Sequence, residues 1–394
     1  MADDFILHVS ACLTPRERIN NASILFRGGE ILAVGGFSAL RVLDDIPCLD
    51  LPDCFAVPGL VDSHLHGSGG VETMDLDKGA DMTPMSRILA RHGVTSFVPT
   101  VLSAERDRML RVIENVTTWC DREQDGAVPV GIHLEGPYLN PEKRGTQERK
   151  SVRPVDLGEA REFLETGRDK IKTLTFAPEV DKAEELIEML REHGVVPSMG
   201  HSQANGEATL RAIDAGATRC THLFNGMPSL DQRRIALTTI GLTDDRVTVE
   251  LIVDGTHVHP AMIALACRSK PARQVVCISD ANQGAGLREG RYHLGNDDII
   301  TRNGESRRVS DGRLAGSCLT LDQGLHNLME FSCYNQNEAL ACHTANAARS
   351  LGLTDRGVIQ PGKRGDVVVL DKDWNVKLTI IAGRVVYDGR DGKG

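Results

Sequence analysis

Residues Pro58–Gly67 read PGLVDSHLHG, an apolar run that leads into two histidines one residue apart. The run Ala56–Val61 predicts a β-strand, and His64 and His66 follow it at the strand's C-terminal end. A His-x-His pair on an extended chain turns both imidazoles to the same face, as a metal ion requires and packing seldom does. This stretch therefore predicts a buried strand that carries a pair of metal ligands.

Similar apolar runs continue along the middle of the chain, with helical patterns between many of them. The predicted strands are Ala56–Val61, Thr95–Pro99, Val128–His133, Thr173–Phe176, Val195–Ser198, Ala217–Thr221, Val247–Val253 and Gln274–Ser279. The helical stretches include Arg87–His92, Arg106–Cys120, Lys182–His193, Glu207–Ala215 and Pro260–Ser269. Strands that alternate with helices in this way predict an α/β fold, a TIM-like (β/α)8 barrel. A doubly wound sheet is the alternative, but the sequence has no Gly-x-Gly-x-x-Gly after a strand and no Walker-type loop.

Both ends of the chain read as β structure. Their candidate strands are Ala22–Arg27, Glu30–Val34, Asp366–Leu370, Lys377–Ile381 and Arg384–Tyr387. Because short strand pairs cannot bury a core separately, we expect the two ends to meet in one small β-sandwich domain. The predicted domains are residues 1–55 with 354–394 for this composite sandwich, and 56–353 for a metal-dependent catalytic barrel.

Polar side chains follow five of the predicted barrel strands. They are His64 and His66, Glu135, His201, His222 and Asp280. Since the C-terminal ends of barrel strands surround one mouth, these side chains should converge there. Each one alone has a plain structural interpretation, such as a helix cap for Asp280, but the set predicts a metal site. Imidazole and carboxylate ligands without thiolate suit Zn²⁺, Fe²⁺ or Mn²⁺.

A divalent ion beside an aspartate also indicates a class of reaction. The ion lowers the pKa of its water and polarises a carbonyl group. Asp280 beside it can take a proton from that water and return it to a leaving nitrogen. The predicted chemistry is hydrolysis of an amide-like C–N bond through a tetrahedral intermediate.

The motifs resemble those of the amidohydrolase superfamily and, within it, the N-acetylglucosamine-6-phosphate deacetylase family, nearly end to end. They are PGLVDSHLHG, HLEGPYLNP, GHS, THLFNGM, DGTHVHP, SDA, LAGS and PGKRGDVVVLD. The resemblance implies that Glu135, His201 and His222 hold the principal metal, and that Asp280 is the general base and then the general acid. It also implies that His64 and His66 complete a second metal position. One or two divalent ions per subunit are expected, Zn²⁺ first, with Fe, Mn, Co or Ni as alternatives.

The resemblance also assigns contacts to a phosphorylated amino sugar. The implied substrate residues are Gln147, Asn225, Gly226, Arg233, His257, Leu314, Ala315 and Gly316. His257 is expected to reach into the site of a neighbouring subunit, which implies a homodimer. Leu314–Gly316 is expected to close over the sugar.

Departures from the family pattern lie around the substrate and not at the metal. Gln147 stands where the family has a histidine near the scissile carbonyl, and Gly226 stands where alanine is usual. The segment 234–236 replaces an acidic-Pro-Gly turn. The expected activity is that of an N-acetylglucosamine-6-phosphate deacetylase, giving glucosamine 6-phosphate and acetate. The alternatives are N-acetylgalactosamine 6-phosphate, another N-acyl amino sugar or an N-acyl amino acid as substrate, or a non-catalytic scaffold, which the complete ligand set disfavours.

Composition limits the remaining partners. The 394 residues carry 45 basic and 55 acidic side chains, a formal charge of −10, and only 4 % aromatic residues. This balance disfavours nucleic acid and anionic membranes as partners, although local groups can still bind a small anion. The ten cysteines contain no Cys-x-x-Cys pair, and the N-terminus lacks the pattern of a secretory signal. The predicted location is cytoplasmic.

Overall fold

The computed structural model describes residues 4–14, 17–36 and 46–390. Its strands are β1 (Phe5–Leu13), β2 (Arg18–Arg27), β3 (Glu30–Gly36), β4 (Cys48–Pro58), β5 (Leu60–Leu65), β6 (Gly67–Ser68), β7 (Val71–Glu72), β8 (Val94–Leu102), β9 (Val128–Pro129), β10 (Ile132–Glu135), β11 (Ile171–Phe176), β12 (Val196–Met199), β13 (Arg219–Cys220), β14 (Thr248–Ile252), β15 (Val275–Ile278), β16 (Gly290–Leu294), β17 (Asp297–Arg302), β18 (Glu305–Arg308), β19 (Val367–Leu370), β20 (Val376–Ile381) and β21 (Arg384–Asp388). Its α-helices are α1 (Thr83–Arg91), α2 (Arg106–Cys120), α3 (Leu157–Gly167), α4 (Ala183–Glu192), α5 (Gly206–Ala215), α6 (Leu237–Thr243), α7 (Pro260–Ser269), α8 (Leu321–Phe331), α9 (Gln336–His343) and α10 (Ala345–Ser350). Short 3₁₀ turns cover Thr73–Lys78 and Ala272–Gln274.

The middle of the chain forms the predicted (β/α)8 barrel. Its strands pair in parallel in the order β5, β8, β10, β11, β12, β13, β14, β15, and β9 also pairs with β8. At the seam between β15 and β5, the backbone N–H of Asp280 donates to the carbonyl oxygen of His64 at 2.9 Å. The barrel therefore closes at the point where two of the predicted site residues lie.

Two predicted strands are each divided between two observed strands, while the bounds of the other six differ from the observed ones by at most three residues. The run Ala56–Val61 falls across β4 and β5, because β4 continues to Pro58 and pairs with β19 of the C-terminal segment. His64 consequently lies inside β5 and not beyond it. The run Val128–His133 is divided between β9 and β10, and Glu135 is the last residue of β10. Each break coincides with a glycine, Gly59 after Pro58 and Gly131 after Val130, but apolar residues on both sides favour a single strand.

The two ends of the chain build one seven-stranded sheet, in the order β21, β20, β19, β4, β1, β2, β3. Gly28 and Gly29, with φ of 58° and 87°, form the tight turn between β2 and β3. The carbonyl oxygen of Gly29 accepts from the N–H of Gly365 at 2.8 Å, which ties the N-terminal hairpin to the C-terminal segment. The prediction of a composite β domain from both termini is confirmed; its boundaries at 55/56 and 353/354 stay a prediction.

A small antiparallel sheet of β16, β17 and β18 follows β15, and Leu294 at the end of β16 lines the cavity described below. All ten cysteines are free thiols. Within the described ranges, no helix has the length and apolar character needed to cross a membrane.

Candidate active site

The predicted metal ligands converge at the C-terminal ends of the barrel strands. His64 lies on β5 and Glu135 ends β10. His201, His222 and Asp280 lie two positions after the last residues of β12, β13 and β15, respectively. His66 lies one residue beyond β5, and all six side chains are buried. Their donor atoms form two adjoining groups, one of Glu135, His201 and His222 and the other of His64, His66 and Asp280.

The first group is compact enough for a single ion. Glu135 Oε1 lies 3.0 Å from His201 Nε2 and 3.1 Å from His222 Nε2. The two imidazole Nε2 atoms are themselves 3.0 Å apart. A tetrahedral zinc ion with bonds of about 2.1 Å separates its ligand atoms by about 3.4 Å. The three donors therefore fit around one divalent ion with little movement.

The second group adjoins the first through Glu135. His66 Nε2 lies 3.1 Å from Asp280 Oδ1, and His64 Nε2 lies 3.6 Å from the same oxygen. His64 Nε2 and Asp280 Oδ1 are buried and have no hydrogen-bond partner. Glu135 Oε2 is 3.5 Å from His66 Nε2, so one carboxylate faces both groups. A second ion fits here, which would give the orphaned atoms a partner.

In two of the histidines, the Nδ1 atom forms a hydrogen bond with a neighbouring oxygen, which leaves Nε2 free. His201 Nδ1 donates to the carbonyl oxygen of Lys143 at 2.7 Å, and His64 Nδ1 donates to Glu250 Oε2 at 3.1 Å. A proton fixed on Nδ1 leaves the lone pair of Nε2 directed at the metal position. Both tautomers thus suit metal binding.

Glu250 and Arg219 are site residues that sequence reasoning missed. Glu250 also accepts the backbone N–H of His222 at 3.1 Å, and its other oxygen pairs with Arg219 Nη2 at 2.5 Å. Arg219 in turn donates to Ser63 Oγ at 2.5 Å. The available signal was a glutamate and an arginine within two apolar strand runs, since buried charges of this kind need partners.

The charges of the site attract a cation. Burial raises the pKa of Glu135, but the His201 and His222 imidazoles outweigh it and hold that pKa well below its ordinary range. Burial likewise raises the pKa of Asp280, and the imidazoles of His64 and His66 reverse the shift. Both carboxylates are therefore ionised at neutral pH. Ionised carboxylates packed against imidazoles are the donor chemistry of a divalent metal centre.

Three of these residues have left-handed backbone conformations. The φ angles are 47° for His201, 30° for His222 and 49° for Asp280. Such conformations cost on the order of 1–3 kcal/mol each and persist where the surrounding structure holds them. Here they turn the chain sharply at the strand ends, where the side chains meet.

A cavity of about 180 Å³ opens beside the donor groups. The sequence-predicted substrate residues that line it are Gln147, Asn225, Gly226, His257, Leu314 and Gly316. Ala315 is buried beside it, and its carbonyl oxygen accepts from Asn282 Nδ2 at 2.9 Å. Arg233 is exposed and is not among the described residues that line the cavity.

Gln147 makes its hydrogen bonds to the site itself. Its Nε2 donates to Glu135 Oε2 at 2.9 Å, and its Oε1 accepts from the N–H of Ser103 at 2.9 Å. The residue is 4 % exposed, so neighbouring protein groups fix the orientation of both polar atoms of its side-chain amide. Gln147 therefore positions the carboxylate of Glu135, in addition to lining the cavity.

His257 lies in the cavity of its own chain. Its Nδ1 is 2.6 Å from Asp254 Oδ2. Burial lowers the pKa of His257, but the Asp254 carboxylate outweighs it and raises the net pKa above the ordinary value. Its contribution across a subunit interface stays a prediction.

A barrel whose strand ends carry this set of histidines and carboxylates is the architecture of a metal-dependent hydrolase. The amidohydrolase family model matches residues 55–386, and the chain belongs to that family. It is 32 % identical to an N-acetylglucosamine-6-phosphate deacetylase of Bacillus subtilis, over 99 % of each chain. It is 35 % identical to an N-acetylgalactosamine-6-phosphate deacetylase of Escherichia coli O157:H7, over 83 % of this chain and 86 % of that one.

A solved structure agrees with these relatives. The N-acetyl-D-glucosamine-6-phosphate deacetylase of Mycobacterium smegmatis, as a point mutant in complex with N-acetyl-D-glucosamine-6-phosphate, superposes with a TM-score of 0.90 at 32 % identity. The alignment covers 98 % of this chain and 99 % of that one. The match includes the terminal sheet as well as the barrel.

Proposed function

We propose that this protein hydrolyses the N-acetyl group of N-acetylglucosamine 6-phosphate to glucosamine 6-phosphate and acetate. The observation that carries the proposal is the complete donor set of Glu135, His201 and His222, with Asp280 beside it at the cavity. Deacetylases of N-acetylglucosamine 6-phosphate from bacteria and vertebrates match the chain at 30 % identity or more, which supports this substrate.

The bound ion and Asp280 have separate roles in amide hydrolysis. A divalent ion, when bound, supplies Lewis acidity toward the acetyl carbonyl and favours ionised water at neutral pH. Asp280 is ionised and lines the cavity, so its carboxylate takes a proton from the attacking water. The same proton then goes to the leaving nitrogen as the C–N bond breaks, and glucosamine 6-phosphate leaves as an amine.

The phosphate is assigned to the polar end of the cavity. His257 lines the cavity, and although burial lowers its pKa, the Asp254 carboxylate raises it on balance, which favours the charged imidazole that pairs with a phosphate dianion. Asn225 lines the same cavity and can donate to the sugar or to the phosphate. Arg233 lies outside the cavity of its own chain, which suits a contact made in an assembled dimer or after closure of its loop.

The finer assignments complete the proposal. Zn²⁺ is the proposed ion, because imidazole and carboxylate donors at these separations suit it, and metal analysis of the purified protein checks the identity. The proposed location is the cytoplasm, supported by ten free thiols, and cell fractionation checks it. The proposed assembly is a homodimer.

The test of function compares two epimers with and without phosphate. The metal-loaded protein is incubated with N-acetylglucosamine 6-phosphate, its galacto epimer and both unphosphorylated sugars, and release of free amine is measured. We expect the highest kcat/KM for N-acetylglucosamine 6-phosphate and a large loss without phosphate. The galacto epimer is a meaningful rival, since one relative deacetylates it by name. Absence of amine from every substrate at full metal loading would refute the proposal.

Mixed dimers test whether a residue acts across the interface. A dimer of one Asp280→Asn chain and one His257→Ala chain has one complete site only if His257 acts on the partner's site. Random mixing of equal amounts would then restore about a quarter of wild-type activity. No recovery means that His257 serves its own chain. The same mixture with Arg233→Ala in place of His257→Ala tests Arg233.

A further inference from the structure

A third group of potential metal donors lies outside the active site. Glu72 ends β7, Asp75 lies in the following 3₁₀ turn, and His293 lies on β16. His293 Nε2 is 2.9 Å from Asp75 Oδ2 and 3.4 Å from Glu72 Oε2. The donor atoms of the three residues all lie within 4.8 Å of one another. The deacetylation proposed above makes no use of them.

Glu72 is the buried member of this group. It is fully buried, and its Oε1 accepts from the N–H of Gly295 at 2.6 Å. Its Oε2 faces His293 but has no hydrogen-bond partner. Removing a carboxylate from water and leaving one oxygen without a donor is costly, so such an oxygen calls for a ligand.

His293 contributes one ring nitrogen to this group. Its Nε2 lies 2.9 Å from Asp75 Oδ2, and because a carboxylate only accepts, the ring N–H donates to Asp75. The backbone N–H of His293 donates to Gln283 Oε1 at 3.2 Å, which holds this residue beside the two carboxylates. That single ring proton leaves Glu72 Oε2 without a partner, whereas a divalent ion in its place would contact all three donor atoms.

We propose that Glu72, Asp75 and His293 bind a divalent transition-metal ion, Mn²⁺ or Zn²⁺, at a site separate from the active-site ligands. One imidazole and two carboxylates are donors that both ions accept. The site is open to an ion, since the side chains of His293 and Asp75 are 37 % and 22 % exposed. Bound metal joins the turn after β7 to β16, whose Leu294 lines the substrate cavity.

Metal analysis of the holoenzyme tests the site. Wild-type protein, Glu72→Gln and His293→Leu are loaded with Mn²⁺ or Zn²⁺, dialysed against metal-free buffer and measured by mass spectrometry for metal per chain. We expect both variants to bind one equivalent less than wild type. Asp77→Asn is the matched control, because Asp77 lies in the same turn but pairs with Arg108 at 2.8 Å.

Two outcomes overturn the proposal. One is an equal metal content in wild type and both variants, and the other is an equal loss in Asp77→Asn. Crystals of the wild-type protein give an independent readout that needs no variant. Anomalous scattering at the manganese or zinc edge should show a peak between Glu72 Oε2 and His293 Nε2, and its absence from metal-soaked crystals refutes the site.

Discussion

Asp280 can be tested separately from the principal metal ligands. Asp280→Asn keeps an oxygen at the same position but removes the proton acceptor, so we expect kcat to fall by about 10³-fold. The group of Glu135, His201 and His222 is unchanged, so the metal bound there should remain. Steady-state kinetics and metal content are measured on the same preparation. A kcat within tenfold of wild type would remove Asp280 from its proposed role.

Gln147 lines the cavity and contacts Glu135, a member of the proposed principal metal site. Gln147→Ala deletes the donor to Glu135 Oε2 and leaves the N–H of Ser103 without its acceptor. Since partners of a metal ligand commonly contribute 10–100-fold to metal affinity, we expect a loss of roughly that size in competition with a chelator. Thr146→Ala, at the neighbouring cavity residue, should keep wild-type affinity. Equal affinity for all three proteins would contradict the positioning role of Gln147.

The grouping of histidines and carboxylates at the strand ends could be predicted from sequence, whereas the contacts of Glu250 and Arg219 with that group could not. His64 and His66 stand out because a strand end carries polar groups in a fixed alternation. The apolar runs around Glu250 and Arg219 indicate that both charges are buried, but they do not show that Glu250 pairs with Arg219 on another strand and with the distant His64. Pairing between strands depends on register, which one sequence does not specify.

At the level of elements, the accuracy of prediction followed the clarity of the boundary signals. Helices α2 and α7 have their predicted bounds, Arg106–Cys120 and Pro260–Ser269, and α7 begins at a proline. The boundary between β4 and β5 does carry a signal, Pro58-Gly59, but apolar residues on both sides of it favour a single strand. One apolar segment therefore contributes strands to two different sheets, and its apolar character alone does not show where the first strand ends and the second begins.

Helix α9 offers a stability test at this level. Asn335 caps the helix by accepting from the N–H groups of Asn337 and Glu338, and Glu338 accepts from the N–H of Asn335. Asn335→Ala removes one side of this capping box, so the free energy of unfolding should fall by about 1 kcal/mol. Asn337→Ala, two residues further on, is the control and should change the free energy of unfolding by a few tenths of a kcal/mol at most. Urea denaturation monitored by circular dichroism measures both.

For the whole molecule, the terminal sheet packs on the barrel away from the catalytic strand ends. Thr379 Oγ1 on β20 donates to the carbonyl oxygen of Ala90 on α1 at 2.7 Å. Arg384 pairs with Glu123 at 2.6 Å, just after α2. Strand β4 leads into β5 through Gly59 alone, so the sheet and the first barrel strand form one continuous connection. The sheet thus anchors the strand whose far end carries His64.

The pH dependence of stability has one source that is remote from the metal centre. His343 on α9 is fully buried, its Nδ1 donates to the carbonyl oxygen of Ala339 at 2.8 Å, and its Nε2 has no partner. Burial lowers the pKa of His343 from 6.5 to about 4. Between pH 6.5 and about 4, the unfolded chain therefore binds a proton at this histidine that the folded protein does not bind. The free energy of unfolding is highest above pH 6.5 and decreases as the pH falls toward 4.

His343→Leu isolates this contribution, because leucine fills an apolar position without a titrating group. Integrating the shift of His343 predicts that wild type loses about 3 kcal/mol more than the variant between pH 7 and pH 4. Urea unfolding of both proteins at pH 7.5, 6, 5 and 4 measures the difference, since the other titrating groups contribute equally to the two. The variant should have the lower free energy of unfolding at pH 7.5, and the difference between the two proteins should become smaller as the pH falls to 4. Parallel curves would show that His343 keeps its ordinary pKa and gains a proton in the folded barrel as easily as in the unfolded chain.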